Sequence, residues 1–375
     1  MNMIIGIDAS RAFVKTKTGI EEYSFQVIKH LRDYLGDNPA VLYLDPRVNK
    51  LKYIDFNLPK NWKVKFLRAP IFWTQARLSL EMFFHPVNVL FVPAHTVPII
   101  HPKNTVVTIH GLEYEFCPRA YSFWQRFYMR LVIKNSCRWA KSIVSVSENT
   151  KKDLVRLYGV KKEKIEVIYE GISDNNFKSS PMMKQSLAEN TDDIISNYKS
   201  YFLFVGRLEE RKNICGIVEA FEILKEKYNI PHKLILVGKF GFGGEKIKRK
   251  IDGSEYKNDI IMTGYASEED KHYLLANADA FLFTTFYEGF GLPILEAQNI
   301  GTPVVSSNVS SMPEVAGDSA ILVDPKSTEA IVEAVHRLIS DESWKNDIIE
   351  KGYRNVKRFS WEKCARKIAD IIKNK

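Results

Sequence analysis

Two glutamates stand eight positions apart in a glycine-rich and apolar segment, FYEGFGLPILEAQNIGTPVVSS, at residues 286–307. A Gly-Phe-Gly turn follows Glu288, and Glu296 lies one turn into a helix predicted from Pro293. A carboxylate in such surroundings is costly without a partner, and a carboxylate can accept two sugar hydroxyls at once. Glycines let the backbone approach a ligand, and free N–H groups at a helix start favour a phosphate. The pattern therefore predicts a site for a diphosphate flanked by two polyols, which is the chemistry of a nucleotide-sugar.

Two cations flank a short loop earlier in the chain. Arg207 and Lys212 lie between a predicted strand, Tyr201–Val205, and the helix that follows it. A cation beside a helix N-terminus opposes the positive end of the helix dipole, so its position there needs a reason, and a bound diphosphate supplies one. Arg211 is a neighbouring candidate. The alternative is a pair of ordinary surface cations at a helix start shielded by the adjacent glutamates.

Three further residues lie in loops that could border the same ligand. His110 ends the predicted strand Thr105–Ile109, where a lone histidine could also be purely structural. Gly19, in KTKTGIEEY, could bring the backbone close to a phosphate or could simply form a turn. Tyr265, after the predicted strand Ile260–Thr263, could lie near a nucleotide base.

Short apolar runs and longer runs with helical periodicity alternate along the chain. Strands are predicted at Met3–Asp8, Val41–Leu44, Val89–Val92, Thr105–Ile109, Ile143–Val146, Tyr201–Val205, Lys233–Val237, Ile260–Thr263, Ala280–Thr285, Pro303–Ser306 and Ala320–Val323. Helices are predicted at Glu21–Leu35, across 214–224, Ser267–Ala278, from Pro293 and Thr328–Ile339. Such alternation predicts an α/β protein with parallel sheets covered on both faces, whose ligands bind beyond the carboxyl ends of the strands.

Length and charge divide the chain in two. At 375 residues the chain exceeds what one core usually holds, and the polar stretch 178–198 is predicted to link two domains. The net charge is +9, and residues 1–180 carry +11 whereas residues 181–375 carry −2. A basic half suits an acidic partner such as anionic lipid, a phosphorylated acceptor or nucleic acid.

Composition favours a cytoplasmic protein without a metal or cofactor. No apolar stretch is long enough to span a bilayer, and the N-terminus lacks the features of a signal peptide. The four cysteines are scattered without a CxxC pair, which argues against a zinc site or a disulfide framework. No acidic cluster indicates a metal site, and no recognised nucleic-acid-binding motif is present.

At this point the sequence resembles a known family. The block from Glu288 to Glu296 looks like the E-x7-E motif of GT4-type retaining glycosyltransferases, which have the GT-B fold. The likeness continues in four segments: VGRLEERKN, TIHGLEYE, VSVSENTKKDL and GTPVVSSNVSSMPEVAGDSAILVDP. It covers most of the chain and is more specific in the second half. The resemblance implies two Rossmann-like doubly wound domains that face each other across a cleft.

The family also implies roles for the second-half residues. Glu296 would hold the nucleotide ribose, and Glu288 would contact the transferred sugar. Backbone N–H groups at Phe290, Gly291 and Leu292 would face sugar and phosphate. The matching arginine and lysine, Arg207 and Lys212, would neutralise the leaving diphosphate in place of a metal. The alternative is that Glu288 is an ordinary loop residue and Glu296 a solvated helix residue.

In the first half, the family's matching histidine, His110, would contact the donor sugar near the reacting carbon. Many relatives carry an aspartate next to that histidine, whereas Gly111 stands here, with Glu113 and Glu115 close by. The carboxylate partner of His110 is therefore open. Gly19 matches the family's glycine loop, near donor phosphate and acceptor.

The sequence thus predicts a retaining hexosyltransferase with an acceptor domain over residues 1–180 and a nucleotide-sugar domain over residues 199–357. Its last helix, in residues 358–375, would return to the first domain. GDP-mannose is the first candidate donor and a UDP-hexose the second, with a saccharide or lipid-linked acceptor of a surface polysaccharide. The alternatives are a sugar-nucleotide 2-epimerase of the same fold class, a nucleic-acid-binding protein and a non-catalytic binding subunit.

One predicted helix combines basic and aromatic residues. Between Arg119 and Lys141, cations recur at every fourth position beside bulky apolar side chains: Phe123, Trp124, Phe127, Tyr128 and Leu131. Such a helix can lie on an anionic membrane surface, at the inner face of the membrane for this protein. The alternative is a helix with a solvated basic stripe and an aromatic face in the core. The aromatic and basic stretch Trp62–Arg77 could border an acceptor cleft.

Overall fold

The computed structural model describes residues 3–69, 71–172 and 200–374. The predicted linker at 178–198 lies outside the described residues. The chain divides into two compact units, one formed by Met1–Ser173 with Phe359–Lys375 and the other by Asp174–Arg358.

The first unit is built on a seven-stranded sheet in the order β3-β2-β1-β4-β5-β6-β7, in which all neighbours run parallel. Its strands are β1 Ile5–Asp8, β2 Ala40–Leu44, β3 Trp62–Phe66, β4 Val89–Val92, β5 Asn104–Ile109, β6 Ser142–Ser145 and β7 Ile165–Val167. Successive residues of the central strands are buried, which shows that both faces of the sheet are covered.

Helices connect these strands. They are α1 Gly19–Leu31, α2 Ser79–Phe84, α3 Glu113–Phe116, α4 Phe123–Trp139 and α5 Glu148–Tyr158, with 3₁₀ turns at Leu51–Tyr53, Pro118–Ala120 and Lys162–Lys164 and a π-helical segment at Trp73–Leu78. The last helix of the chain, Trp361–Lys373, packs against α1 within this unit. Its apolar side chains at Ile368 and Ile372 are fully buried.

The second unit contains a six-stranded parallel sheet in the order β10-β9-β8-β11-β12-β13. The strands are β8 Tyr201–Val205, β9 Lys233–Val237, β10 Ile260–Gly264, β11 Ala280–Phe283, β12 Val304–Ser307 and β13 Ile321–Val323. Its helices are α6 Ile214–Tyr228, α7 Gly244–Asp252, α8 Glu268–Ala276, α9 Leu292–Ile300, α10 Met312–Ala316, α11 Thr328–Ser340 and α12 Glu342–Val356. The last helix of the chain, Trp361–Lys373, is α13 and belongs to the first unit.

The predicted α/β class and the parallel sheets are confirmed, and the predicted strands lie within two residues of the observed ones. Strands β3 and β7 were missed. Both lie at an edge of the sheet. In β3 (WKVKF) lysines alternate with apolar residues, and β7 (IEV) is only three residues long, so neither has the continuous apolar run of a central strand. The stretch Trp62–Arg77 begins with this edge strand.

The aromatic face of α4 is exposed. Phe123 and Trp124 expose 71% and 74% of their surface, while the buried positions of the helix are Ile133, Ser136 and Cys137 near its C-terminal end. The alternative of an aromatic core face is therefore wrong. Among the described helices, none is both long enough and apolar enough to cross a membrane.

Candidate functional site

The two loops that follow β8 and β11 meet through an ion pair at the carboxyl edge of the second sheet. Lys212 and Arg211 lie in a single helical turn after β8, and Glu288 lies in the loop after β11. The Lys212 ammonium donates to Glu288 Oε1, and Arg211 Nη1 donates to the same oxygen at 3.0 Å. The sequence predicted both Glu288 and Lys212 as site residues, and the structure brings them into direct contact.

Burial makes this pair electrostatically strong. Lys212 is buried, and its ammonium lies 4.9 Å from the centre of the Phe283 ring. Burial lowers the pKa of Lys212, although Glu288 acts in the opposite direction. Burial would raise the pKa of Glu288, but Lys212 and Arg211 hold it below its usual value. The site therefore contains a carboxylate and two cations poised beside the start of α9.

Arg207 occupies a different environment from Lys212. Its side chain is 65% exposed, and its Nε donates to Glu209 Oε1 at 2.9 Å. The second oxygen of Glu209 accepts from Arg211 Nε at 3.0 Å. Glu209 thus links the exposed Arg207 to Arg211 and hence to Glu288. This linking role was not predicted.

Two serines fix the backbone of the Glu288 loop. Ser310 Oγ donates to the Glu288 carbonyl at 2.6 Å and accepts from the Glu288 N–H at 3.2 Å. Ser311 Oγ donates to the Phe290 carbonyl at 2.6 Å. Ser310 itself has φ +56°, a left-handed conformation that is uncommon outside glycine. Both serines lie in a segment that carries the family resemblance, but their hydrogen bonds to the backbone of the Glu288 loop were not predicted from the sequence.

The start of α9 has the geometry expected of a ligand-facing helix N-terminus. Gly291 is its N-cap residue with φ +120°, a conformation that glycine adopts at little cost. Leu292 and Pro293 form the first turn, in which the N–H of Leu292 has no intrahelical acceptor and Pro293 has no N–H. Phe290, which precedes Gly291, is buried.

Glu296, one turn into α9, has a partner that sequence analysis missed. Lys271 of α8 donates to Glu296 Oε1 at 2.9 Å and also contacts Glu268 at 2.7 Å. Although burial alone would lower it, these two glutamates hold the pKa of Lys271 above its usual value. One carboxylate oxygen of Glu296 is thus bound by a fixed cation.

Tyr265 lies apart from these charges. It follows Gly264, which has φ +73°, at the end of β10, and its side chain is exposed. The ammonium of Lys239 lies 5.9 Å from its ring centre. Within the part of the chain that the structure describes, Tyr265 makes no hydrogen bond or ring contact with the other predicted site residues.

In the first unit, His110 has a carboxylate partner, Glu170. The Nδ1 of His110 lies 3.4 Å from Glu170 Oε1, and both side chains are buried. Its Nε2 donates to the Pro93 carbonyl at 2.8 Å, and the Tyr23 ring lies nearly perpendicular to the imidazole, with the ring centres 4.5 Å apart. Neither Glu113 nor Glu115 fills this place: Glu115 pairs with Arg130 instead. Sixty residues separate His110 from Glu170, so no local pattern could have shown the pair.

The remaining first-unit candidate, Gly19, is the first residue of α1. Thr18 is the N-cap residue of this helix, and its N–H donates to Glu21 at 3.2 Å. A Cβ at Gly19 would meet nothing within 4 Å, so the glycine leaves open space at the helix start. Asp8, at the end of β1, is buried, and burial raises its pKa although Ser10 donates to it.

Two family models match the chain. Residues 189–355 match the model described as glycosyl transferases group 1, and residues 17–176 match that of Glycosyltransferase Family 4. Together the two matches cover both units.

Relatives and solved structures agree with these matches. The O-antigen chain mannosyltransferase B of Escherichia coli is 32% identical over 277 residues, 72% of this chain and 70% of that protein. The O-antigen chain mannosyltransferase RfbU of Salmonella typhimurium is 25% identical over 92% of this chain and 95% of its own. The crystal structure of HepE from Anabaena with UDP and glucose covers 100% of both chains at 18% identity with a TM-score of 0.75, a likeness of fold.

Proposed function

This chain belongs to the glycosyltransferases of group 1 and family 4 and is an enzyme of that class, and from this premise we propose the reaction that it catalyses. It transfers a hexose from a nucleotide-diphosphate sugar to a saccharide or lipid-linked acceptor of a surface polysaccharide. Configuration at the anomeric carbon is retained. Mannose from GDP-mannose is the first candidate for the transferred sugar and its donor, and a UDP-hexose is the second.

The observation that carries this proposal is the buried charge network before α9. Lys212 and Arg211 provide two positive charges, and the start of α9 provides the positive end of the helix dipole and the N–H of Leu292. These groups suit a diphosphate, while the carboxylates of Glu288 and Glu296 suit the hydroxyls of the transferred sugar and the ribose. Arg207 is exposed and can turn from Glu209 toward the bound diphosphate. The layout fits a ligand with one diphosphate between two polyols.

The chemical step follows from this placement. The bond between the anomeric carbon and the diphosphate oxygen breaks, and Lys212 and Arg207 stabilise the charge that grows on the departing group. The acceptor hydroxyl attacks from the side of the leaving group, and its proton passes to the departing phosphate oxygen. His110 lies beside the transferred sugar in this mechanism. No divalent ion takes part.

The names of the relatives support mannose and a polysaccharide product. Two of them are O-antigen chain mannosyltransferases, and the HepE structure contains UDP and glucose, which keeps a UDP-hexose as the second candidate. The exposed aromatic face of α4 beside its basic residues supports contact with an anionic membrane, where a lipid-linked acceptor would be found. We place the enzyme at the cytoplasmic face of that membrane.

Donor binding is tested by a thermal-shift screen of nucleotide-sugars, because a ligand raises stability according to its concentration relative to Kd. The best donor is then titrated by calorimetry into the wild-type protein and into Lys212→Ala and Glu296→Ala. We expect both variants to bind more weakly. Equal affinity in all three proteins would overturn the assignment of the donor site. Retention is tested by the one-bond carbon–proton coupling at the anomeric carbon of the first-formed product, because the H1–H2 coupling of mannose is small in both anomers.

A further inference from the structure

Two histidines stand side by side at the carboxyl edge of the first sheet. His95 follows β4, and His110 follows the adjacent strand β5. Their ring centres are 5.2 Å apart with the planes inclined at 51°. Ligands of doubly wound sheets bind beyond this edge. Only His110 was predicted from the sequence.

The rings differ in how their nitrogens are used. Both nitrogens of His110 face acceptors of the protein itself, the Pro93 carbonyl at 2.8 Å and the Glu170 carboxylate at 3.4 Å. A carbonyl can only accept, so Nε2 of His110 carries a proton that is already donated. In His95, by contrast, the buried Nδ1 has no hydrogen-bond partner among the described residues. Buried polar atoms are rarely left in this state, and a buried group without a partner costs roughly 1–3 kcal/mol.

The backbone of His95 is also strained. Its φ is +49°, in the left-handed region, and the conformation is held by a hydrogen bond from its N–H to the Thr108 carbonyl at 2.9 Å. Non-glycine residues held in such conformations cost on the order of 1–3 kcal/mol and cluster at functional sites. An unpartnered side-chain nitrogen and a strained backbone thus coincide at one residue, at the edge of the sheet where ligands bind.

The charge of His95 narrows the chemistry of its ligand. Burial lowers its pKa well below the usual value, and the neighbouring His110 and Arg11 lower it further. A neutral imidazole offers one donor and one acceptor, which suits a hydroxyl group that both donates and accepts better than a phosphate that only accepts. Sugar hydroxyls are the polar groups that the proposed substrates bring to this edge.

We propose that His95 is a substrate-contacting residue that exchanges a hydrogen bond with a sugar hydroxyl, while Glu170 acts as a positioning residue that keeps the neighbouring His110 ring fixed. This inference rests on the proposed function, since it needs a sugar substrate. The hydroxyl belongs either to the hexose of the donor or to the acceptor saccharide. His95 turns its unsatisfied nitrogen toward that hydroxyl on binding, which offsets the cost it carries in the free protein.

Substitutions separate this role from a structural one. Asparagine tolerates left-handed conformations and glycine adopts them freely, so His95→Asn and His95→Gly keep the backbone accessible. We expect both variants to unfold at a temperature no lower than the wild type. We also expect the affinity for the sugar substrate to fall, or KM to rise, about two- to tenfold, which is the range for one neutral hydrogen bond. His85→Asn is the matched control, because His85 is an exposed histidine of the same unit. A fall in stability without a change in KM or affinity would assign His95 a structural role and overturn the proposal.

Ring nitrogens observed by NMR in protein labelled with ¹⁵N-histidine give a readout besides activity. The His95 signals are those missing in His95→Asn, and the probes are GDP, UDP, GDP-mannose, UDP-glucose and methyl α-mannoside. A shift with a nucleotide-sugar but not with its nucleotide assigns the donor hexose, and a shift with methyl α-mannoside alone assigns the acceptor. A shift already produced by GDP or UDP, or no shift with any probe, overturns the proposal.

The positioning role of Glu170 is tested in the same spectra. Glu170→Gln keeps the shape of the side chain but replaces the carboxylate that faces His110 Nδ1 with an amide, so the His110 signals should move while those of His95 keep their ligand response. Unmoved His110 signals would overturn this part. Calorimetric binding that depends on Lys212 and Glu296 tests the proposed function separately. If donor binding shows this dependence but the His95 signals do not shift, the role of His95 is overturned and the proposed function is not.

Discussion

Lys271 donates to Glu296 across 2.9 Å from one helix to the next and thereby holds one oxygen of the carboxylate assigned to the ribose. We predict that Lys271→Met weakens nucleotide-sugar affinity about threefold to tenfold, because Glu296 loses the partner that fixes its orientation. Isothermal titration with the best donor measures this change.

Glu268→Gln is the control for that substitution. It removes the other partner of Lys271, but Glu268 is 73% exposed, and such surface pairs contribute about 0–1 kcal/mol. Its donor affinity should equal that of the wild type. A loss in Glu268→Gln as large as in Lys271→Met would show that the whole helix start, and not the Glu296 contact, carries the effect.

The buried pair of Lys212 and Glu288 should respond unequally to the loss of either partner. Glu288→Gln leaves a buried ammonium without its carboxylate, and we predict a loss of about 3–5 kcal/mol in the free energy of unfolding. Lys212→Met should cost less, because Arg211 still lies 3.0 Å from Glu288. Chemical denaturation of the wild type, both single variants and the double variant gives their free energies of unfolding and thus a double-mutant cycle.

In that cycle the double variant should regain part of the stability lost in Glu288→Gln, while transferase activity stays low in all three proteins. Arg207→Met serves as the stability control, since Arg207 is largely exposed and its pair with Glu209 should contribute at most about 1 kcal/mol. Strictly additive losses would contradict a direct interaction between Lys212 and Glu288.

Stability should depend on the ionisation of Glu288 in acid. The fold holds the pKa of Glu288 below its ordinary value of 4.5, so its contribution is complete above 4.5 and is lost as the pH falls through the lower folded-state value. The difference in unfolding free energy between wild type and Glu288→Gln should therefore narrow on acidification below 4.5. Denaturation curves of both proteins at several pH values below 4.5 measure this difference in unfolding free energy. A difference that grows in acid would contradict the ion pair.

Transfer should not require a divalent ion. The proposed site neutralises the leaving diphosphate with Lys212 and Arg207, so these side chains supply the charge that a metal would otherwise provide. We predict that excess EDTA leaves the initial rate within about twofold of the untreated enzyme. The complementary experiment adds Mg²⁺ or Mn²⁺ to the dialysed enzyme. A tenfold rise in the initial rate would show that Lys212 and Arg207 alone do not neutralise the diphosphate.

Local patterns were enough to find all the described strands except the two edge strands β3 and β7, and they also located the charged loops of this enzyme. The strand ends and the helix after Gly291 follow from apolar runs, glycines and proline, and they place Glu288 and Glu296 correctly in their loop and helix. Family membership and the fold class, both inferred from those segments, are confirmed.

The partners of those residues depend on strand order, which no local pattern carries. Glu170 reaches His110 because β7 lies two strands from β5 in the sheet, and Arg211 reaches Glu288 because β8 and β11 are adjacent. Both pairs are at least sixty residues apart in sequence. His95 escaped notice for another reason: its left-handed backbone and unpartnered nitrogen exist only in the folded chain.

The exposed face of α4 should bind anionic membranes. Phe123 and Trp124 lie largely in solvent, so replacing both with serine should change the free energy of unfolding by less than about 1 kcal/mol. It should nevertheless abolish co-sedimentation with vesicles that contain anionic lipid, because the aromatic side chains provide the buried apolar area and the basic residues only the electrostatic attraction. Phe242→Ser in the second unit is the control, since Phe242 is also exposed but lies outside α4. Binding of the wild type should weaken at high salt, and failure to bind anionic vesicles even at low salt would remove the membrane from the proposed function.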